Sequence, residues 1–120
     1  MKDPGELAAA FLAEMRSRDF DAEKPATDLL QWEAEDTDDE VIWDATLLIV
    51  EGASDDGERW MIGDGLIDES IATRSELRAR WHAARKTNPH VDAMFRVMHR
   101  YLGEEGHDLG WWDLNDQVGR

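Results

Sequence analysis

The sequence of 120 residues contains no cysteine. Disulfide bonds, thiolate metal ligands and cysteine nucleophiles are therefore excluded, and the composition suits a reducing compartment. Long apolar runs are also missing, because residues 45–50, interrupted by Thr46, and residues 7–13 are both far too short to span a bilayer. Because Met1-Lys2-Asp3-Pro4 leads into an acidic amphipathic segment, we expect no signal peptide. These absences predict a cytoplasmic protein that makes no membrane contact.

Several catalytic motifs are absent as well. None of the four serines stands in a Gly-x-Ser-x-Gly elbow, and no His-Glu-x-x-His is present. The string at residues 60–69 lacks the ligand spacing of a calcium loop and the Lys and Ser/Thr of a phosphate-binding loop. We therefore predict no catalytic residues, no metal site and no cofactor. The Gly63-Asp64-Gly65 string is interpreted as a helix junction that needs glycine for close backbone approach.

Acidic residues, in contrast, are in large excess, with 28 Asp and Glu against 13 Lys and Arg and a net charge of −15. The charge is segregated: residues 1–72 sum to −16, residues 73–102 to +5 and residues 103–120 to −4. Such a field favours cationic partners and disfavours nucleic acid and anionic membranes. Adaptation of a whole proteome to salt or to a GC-rich genome would also produce it, so the acidity alone does not define a function.

Apolar spacing predicts an all-α fold, a single compact domain of five or six helices with an irregular C-terminal tail. The predicted division is an acidic helical domain at 1–102 and a Gly/Trp-containing tail at 103–120 that packs on it. Asp3, Thr27, Thr73 and Asn88 are the expected helix starts, and Gly103 the last stop. The predicted helices are 5–17, 28–35, 39–51, one from near 55, 74–86 and 89–102, with a strand as the competing interpretation of 46–50.

Six tryptophans are present, a high number for this length. Trp32, Trp43, Trp60 and Trp81 stand among apolar neighbours in predicted helices, so we expect them in the core. Trp111 and Trp112 are adjacent and lie outside the predicted helices. Neighbouring indoles cannot easily share one core face, so both are candidate partner-binding residues.

One order of motifs resembles that of a known family. Glu40-x-x-Trp43 and an apolar helix precede Ile62-Gly63-Asp64-Gly65-Leu66-Ile67-Asp68, and a helix with Leu77 and Ala84 leads to Asn88-Pro89 and Phe95. This order resembles an uncharacterised bacterial helical domain family, in which an Ala/Gly-Gly-Pro-Leu-Glu-Asp-like string follows a Trp-bearing helix. The resemblance covers about residues 28–102. It implies a helical fold and carries no activity, cofactor or partner.

Together these patterns favour a non-enzymatic protein-binding module with a basic protein partner. An immunity- or inhibitor-type protein that neutralises a toxin or a nucleic-acid-handling protein fits them, and a DNA-mimic inhibitor of phage or host origin is an alternative. A second alternative is a small metal-dependent hydrolase that uses His99, His107 and Asp108. Arginines of the fifth and sixth helices, such as Arg74 and Arg100, are expected to pair with the acidic half rather than with nucleic acid. The predicted partner-binding carboxylates are Asp36, Asp38, Asp39, Glu40, Asp55, Asp56 and Glu58.

Overall fold

The first and last helices begin where a polar side chain stands before a proline. A computed structural model describes residues 3–33, 36–104, 106 and 112. Helix α1 is Pro4–Arg16, and Asp3 Oδ1 caps it by accepting from the Gly5 N–H at 2.9 Å. Helix α6 is Pro89–Glu104, and Asn88 Oδ1 accepts from the N–H of His90 at 2.9 Å. Proline suits the first helical position because its missing N–H would have no intrahelical partner.

Two helices widen into π-helical segments without a break. Helix α2, Pro25–Thr27, continues as π1, Asp28–Trp32, and helix α4, Asp56–Ile62, continues as π2, Gly63–Ile71. Bonds from each residue to the fifth before it mark the wider turn, for example Ala72 N–H to Ile67 C=O at 2.9 Å. The predicted junction at Gly63 is thus not an interruption, although Gly63 is buried and close to a neighbouring helix as expected.

The remaining helices are α3, Asp39–Gly52, and α5, Ser75–Ala84. Because α3 includes residues 46–50, the competing strand interpretation is wrong. The prediction that Gly103 ends the last helix is also wrong, since α6 continues to Glu104. The division of the chain at residue 102 stays a prediction.

Thr27 and Thr73 do not cap helices, contrary to the prediction. Thr27 has helical dihedral angles, and its hydroxyl donates to the Glu14 carboxylate at 2.9 Å. Proline at residue 25 starts that helix two residues earlier than expected. Thr73 lies beyond the end of π2, where its hydroxyl donates to the Ser70 carbonyl at 3.0 Å.

The helices enclose one core, and the all-α prediction is confirmed, because the described residues form no strand. Helix α1 packs on α2 and α3, π1 packs on π2, and α6 packs on α3, α4 and α5. The radius of gyration is 13.8 Å, close to the value of about 14 Å expected for a compact chain of this length. No helix in the described part of the chain is long and apolar enough to cross a membrane.

The four tryptophans expected in the core differ in their solvent exposure. Trp81 is fully buried, Trp43 and Trp60 are half-buried, and Trp32 is 66% exposed. The expectation for Trp32 is therefore wrong. It is the last residue of π1, and the buried residue of that short segment is Leu30.

Candidate protein-binding surface

The seven carboxylates predicted to bind a partner lie before and at the start of α3 and around the start of α4. Two of them join α3 to α5. Asp39 pairs with Arg74, and Glu40 Oε1 lies 2.6 Å from Nη2 of Arg80, which also contacts Glu76 at 2.8 Å. The hydrogen bond from Arg80 lowers the pKa of Glu40 below its ordinary value. Both carboxylates therefore form ion pairs with arginines of the same chain.

Glu58 is the most strongly held of the seven. Its two carboxylate oxygens accept from Nε and Nη2 of Arg16 at 2.8 and 2.9 Å, and Oε1 also accepts from the N–H and hydroxyl of Ser54 at 2.8 Å. The bond from Arg16 is the main reason why the pKa of Glu58 falls to about 2. Arg16 also donates to the Gly52 carbonyl at 2.8 Å. This two-pronged contact ties the end of α1 to the end of α3 and the start of α4.

Asp56 is shared between two arginines. Its carboxylate lies 2.8 Å from Arg59 Nη1 and 3.1 Å from Arg100 Nη2, and the bond from Arg100 contributes most to lowering its pKa. Arg74 and Arg100 thus pair with the acidic half of the chain, as the charge pattern predicts. Arg96 instead pairs with Asp92 one turn earlier in its own helix, at 2.7 Å.

The other three carboxylates are not ion-paired with described residues. Asp38 Oδ1 accepts from the Glu40 N–H and Asp55 Oδ1 from the Glu58 N–H, each at 2.8 Å, so both residues cap helices. Asp36 is exposed. Six of the seven predicted residues therefore also have hydrogen-bond or ion-pair partners within the chain, and their contact with a partner protein stays a prediction.

Of the two tail indoles, Trp112 is 2% exposed. Its Nε1 donates to Asp68 Oδ1 at 2.9 Å, and its ring lies edge-on to Phe95 and Trp81, with centroid distances of 5.0 and 6.2 Å. Burial removes Trp112 from the accessible surface, so we no longer assign it a partner contact. Trp111 lies outside the described residues.

The residues of the hydrolase alternative are only partly described. His99 is half-buried in α6, whereas His107 and Asp108 lie outside the described residues. Within residues 3–33, 36–104, 106 and 112, no group of three His, Asp or Glu side chains is placed to hold a metal ion.

Carboxylates that form no ion pair with described residues are concentrated in residues 19–36, here called the acidic segment. Seven acidic residues stand there against Lys24 alone. Two aromatic rings of the segment are strongly exposed, Phe20 at 84% and Trp32 at 66%. No ion pair with the described residues involves its six described carboxylates, of Asp19, Asp21, Glu23, Asp28, Glu33 and Asp36.

An open cleft of about 300 Å³ lies where the acidic segment meets α1 and α4, and we call it the α1/α4 cleft. It combines apolar side chains with two carboxylates and one ammonium group. Met61 of α4, which is 52% exposed, is the most accessible of its apolar residues. Its lining residues are Phe11, Glu14, Met15, Lys24, Thr27, Gln31, Trp60, Met61, Asp64 and Gly65.

Glu14 holds the acidic segment against α1. Its carboxylate accepts from the N–H groups of Ala26 and Thr27 at 3.0 and 2.9 Å, which places a negative charge at the start of α2. A second, smaller cleft of about 190 Å³ adjoins here and shares Glu14 and Lys24 with the first.

Of the acidic segment, the sequence analysis predicts only Asp36 as a site residue, although one further signal was available. Phe20 stands between Asp19 and Asp21 in a segment without helical periodicity, where an aromatic side chain has no predicted core face. Met61 gave no such signal, because it stands between Trp60 and Ile62 in a predicted helix. Trp32 follows Leu29 and Leu30 in a predicted helix, so its spacing was also compatible with a core position. Their exposure depends on how the helices pack.

No protein-family model matches the chain, and comparisons with curated proteins and with solved structures return no match. The family resemblance over residues 28–102 therefore stays a prediction, and the surface is interpreted from its own chemistry.

Proposed function

We propose that this protein is a small acidic protein-binding module that recognises a basic protein partner through its acidic segment. One observation carries the proposal: two exposed aromatic rings, Phe20 and Trp32, lie among six carboxylates that have no ion pair with the described residues. Aromatic side chains are enriched among the residues that dominate binding energies. Unneutralised carboxylates around them accelerate encounter with a cationic surface and reject anionic ones.

The internal ion pairs support this assignment. Arginines 16, 74, 80 and 100 neutralise acids of α3, α4 and α5, so the net charge of −15 is not spread evenly over the surface. The acidic segment keeps its charge available for a partner. Proteins that handle nucleic acid present lysine and arginine to phosphates, so an acidic module would compete for that same surface. An inhibitor or immunity role against such a protein is the form of the function that we favour.

Capture of partners from a lysate of the source organism tests the proposal when two variants of equal net charge are compared. In the first, Asp19→Asn, Asp21→Asn and Glu23→Gln neutralise the acidic segment. In the second, Glu6→Gln, Asp44→Asn and Glu51→Gln neutralise exposed acids of α1 and α3. Both variants raise the net charge by three, so an effect of overall acidity changes them equally.

We expect the unmodified protein and the second variant to retain basic proteins at low salt and to release them at high salt. The first variant should retain much less of the same proteins. Equal retention by the two variants would mean that only overall acidity matters, and retention of no basic protein would overturn the proposed function. Competition by duplex DNA for the retained protein would identify its nucleic-acid-binding surface as the one covered.

A further inference from the structure

We infer that the α1/α4 cleft binds a short segment of the basic partner in which an apolar side chain stands beside a lysine or arginine. This inference rests on the proposed function and names the chemistry that the cleft selects. The cleft borders the acidic segment, since Lys24, Thr27 and Gln31 belong to both. A partner held by the acidic segment is therefore adjacent to the cleft.

The apolar part of the cleft is suited to one aliphatic side chain. Met15 and Met61 are both lining residues, and the Met61 side chain is half exposed although it stands beside the half-buried Trp60. Methionine side chains are flexible and polarisable, so they adapt to ligands of different shape. Burial of Met61 under a partner side chain would remove exposed apolar area that the protein's own helices leave uncovered.

The charged part of the cleft selects a cation. Asp64 is exposed, and it forms no ion pair with the described residues. Lys24 is the only cation of the lining, and its ammonium group lies 6.0 Å from the centroid of the Phe20 ring, without an ion pair in the described part of the chain. Because Lys24 lines the same cleft as Asp64, its positive charge opposes the entry of a partner cation.

Because Lys24 opposes a partner cation, the inference predicts that its removal strengthens binding, which a merely structural role of Lys24 would not. Removal of the Lys24 charge should tighten binding about two- to fivefold, since an exposed charge contact is worth up to about 1 kcal/mol. Asp64→Asn should weaken binding by a similar factor. Met61→Ala should weaken it about threefold to tenfold through loss of apolar contact. Matched controls lie on the outer side of α3, where Leu48 is 43% exposed and Asp44 is exposed.

Methionine methyl groups allow a direct test with defined probes. Met15 and Met61 line the cleft, whereas Met94 and Met98 are fully buried in α6 and serve as internal references. The full chain, labelled with carbon-13 at the methionine methyl groups, is titrated with an eight-residue peptide that contains Lys-Leu-Lys among glycine and serine residues. Two matched peptides carry Glu-Leu-Glu and Lys-Ser-Lys, and Met15→Leu and Met61→Leu assign the resonances.

We expect the Lys-Leu-Lys peptide to shift the Met15 and Met61 resonances much more than those of Met94 and Met98. The other two peptides should bind at least several-fold more weakly. Lys24→Gln should lower the dissociation constant of the Lys-Leu-Lys peptide, whereas Leu48→Ala and Asp44→Asn should leave it unchanged. No shift at millimolar peptide, an equal response to Glu-Leu-Glu, or weaker binding by Lys24→Gln would overturn the inference.

Failure of this inference is distinguishable from failure of the proposed function. If a captured basic protein binds but neither shifts the Met61 resonance nor responds to Met61→Ala, the cleft is not its site and the module function stands. A Met61 resonance that shifts with protein concentration in the absence of peptide would show that a second copy occupies the cleft, and this too would overturn the inference.

Discussion

Gly63 offers a sensitive test of the close packing between the start of π2 and helix α6. A Cβ atom at this position would lie 2.5 Å from Sδ, 3.0 Å from Cγ and 3.2 Å from Cε of Met98. Met98 is fully buried, so its whole side chain would have to move within a packed core. Overpacking of this kind costs about 1–3 kcal/mol. Alanine in place of a helical glycine returns about 1 kcal/mol. We therefore expect Gly63→Ala to destabilise the protein by up to about 2 kcal/mol.

Gly103 provides the matched control, because it lies in α6 and a Cβ there would meet no atom within 4 Å. Gly103→Ala should be neutral or stabilise the protein by up to about 1 kcal/mol. Urea unfolding followed by tryptophan fluorescence and circular dichroism measures both changes. In a Met98→Ala background the added methyl would enter a cavity, so Gly63→Ala should lose its cost there.

Two results would refute this reasoning. If Gly63→Ala stabilised the protein as much as Gly103→Ala, the close approach of π2 and α6 at Gly63 would be absent. If its cost were the same with and without the Met98 side chain, the strain would have another origin. Equal denaturant dependence of all variants is required for the comparison, because a changed slope indicates an altered unfolded or native state.

Two further predictions concern the ion pairs and the tail. Glu58→Gln should lower the free energy of unfolding by about 1–2 kcal/mol at neutral pH, a value reduced for the partial exposure of Arg16. Since folding lowers the pKa of Glu58 from 4.5 to about 2, this difference should be constant above pH 5 and disappear as the pH falls from 4.5 towards 2. Urea titrations across that range measure it, and a pH-independent difference would contradict the ion pair. Trp112→Ala should cost about 3–5 kcal/mol, and a loss below about 1 kcal/mol would show that the indole does not fill the core.

Local signals explain which parts of the fold the sequence predicts. Asp3 and Asn88 were identified as caps because each stands directly before a proline, so cap and first helical residue are adjacent in the chain. Thr27 was misassigned because Pro25 also permits a helix start, and packing against Glu14 selects that earlier position. Gly103 is helical, and the described glycine with a positive φ, of 72°, is Gly106 three residues later.

The candidate surface depends on long-range contacts, which a single sequence does not contain. Glu58 and Arg16 are separated by 42 positions, and Glu40 and Arg80 by 40. Charge counting identifies the excess of acid but cannot assign each acid to a partner. The sequence therefore predicts partner-binding carboxylates without indicating which of them also pair with arginines of the same chain.

The distribution of charge that results is informative about function. Asp39 and Glu40 sit at the positive end of α3 and also face arginines of α5, so two favourable interactions hold each of them. The six described acids of residues 19–36 form no ion pair with described residues, although Asp28 stands in the first turn of π1 and Asp19 Oδ1 accepts from the Asp21 N–H. Uncompensated like charges raise the free energy of the folded state, because they repel one another across a surface that stays wet. A cationic partner would relieve that repulsion while it covers the exposed rings of Phe20 and Trp32, so binding to the acidic segment would stabilise the folded protein.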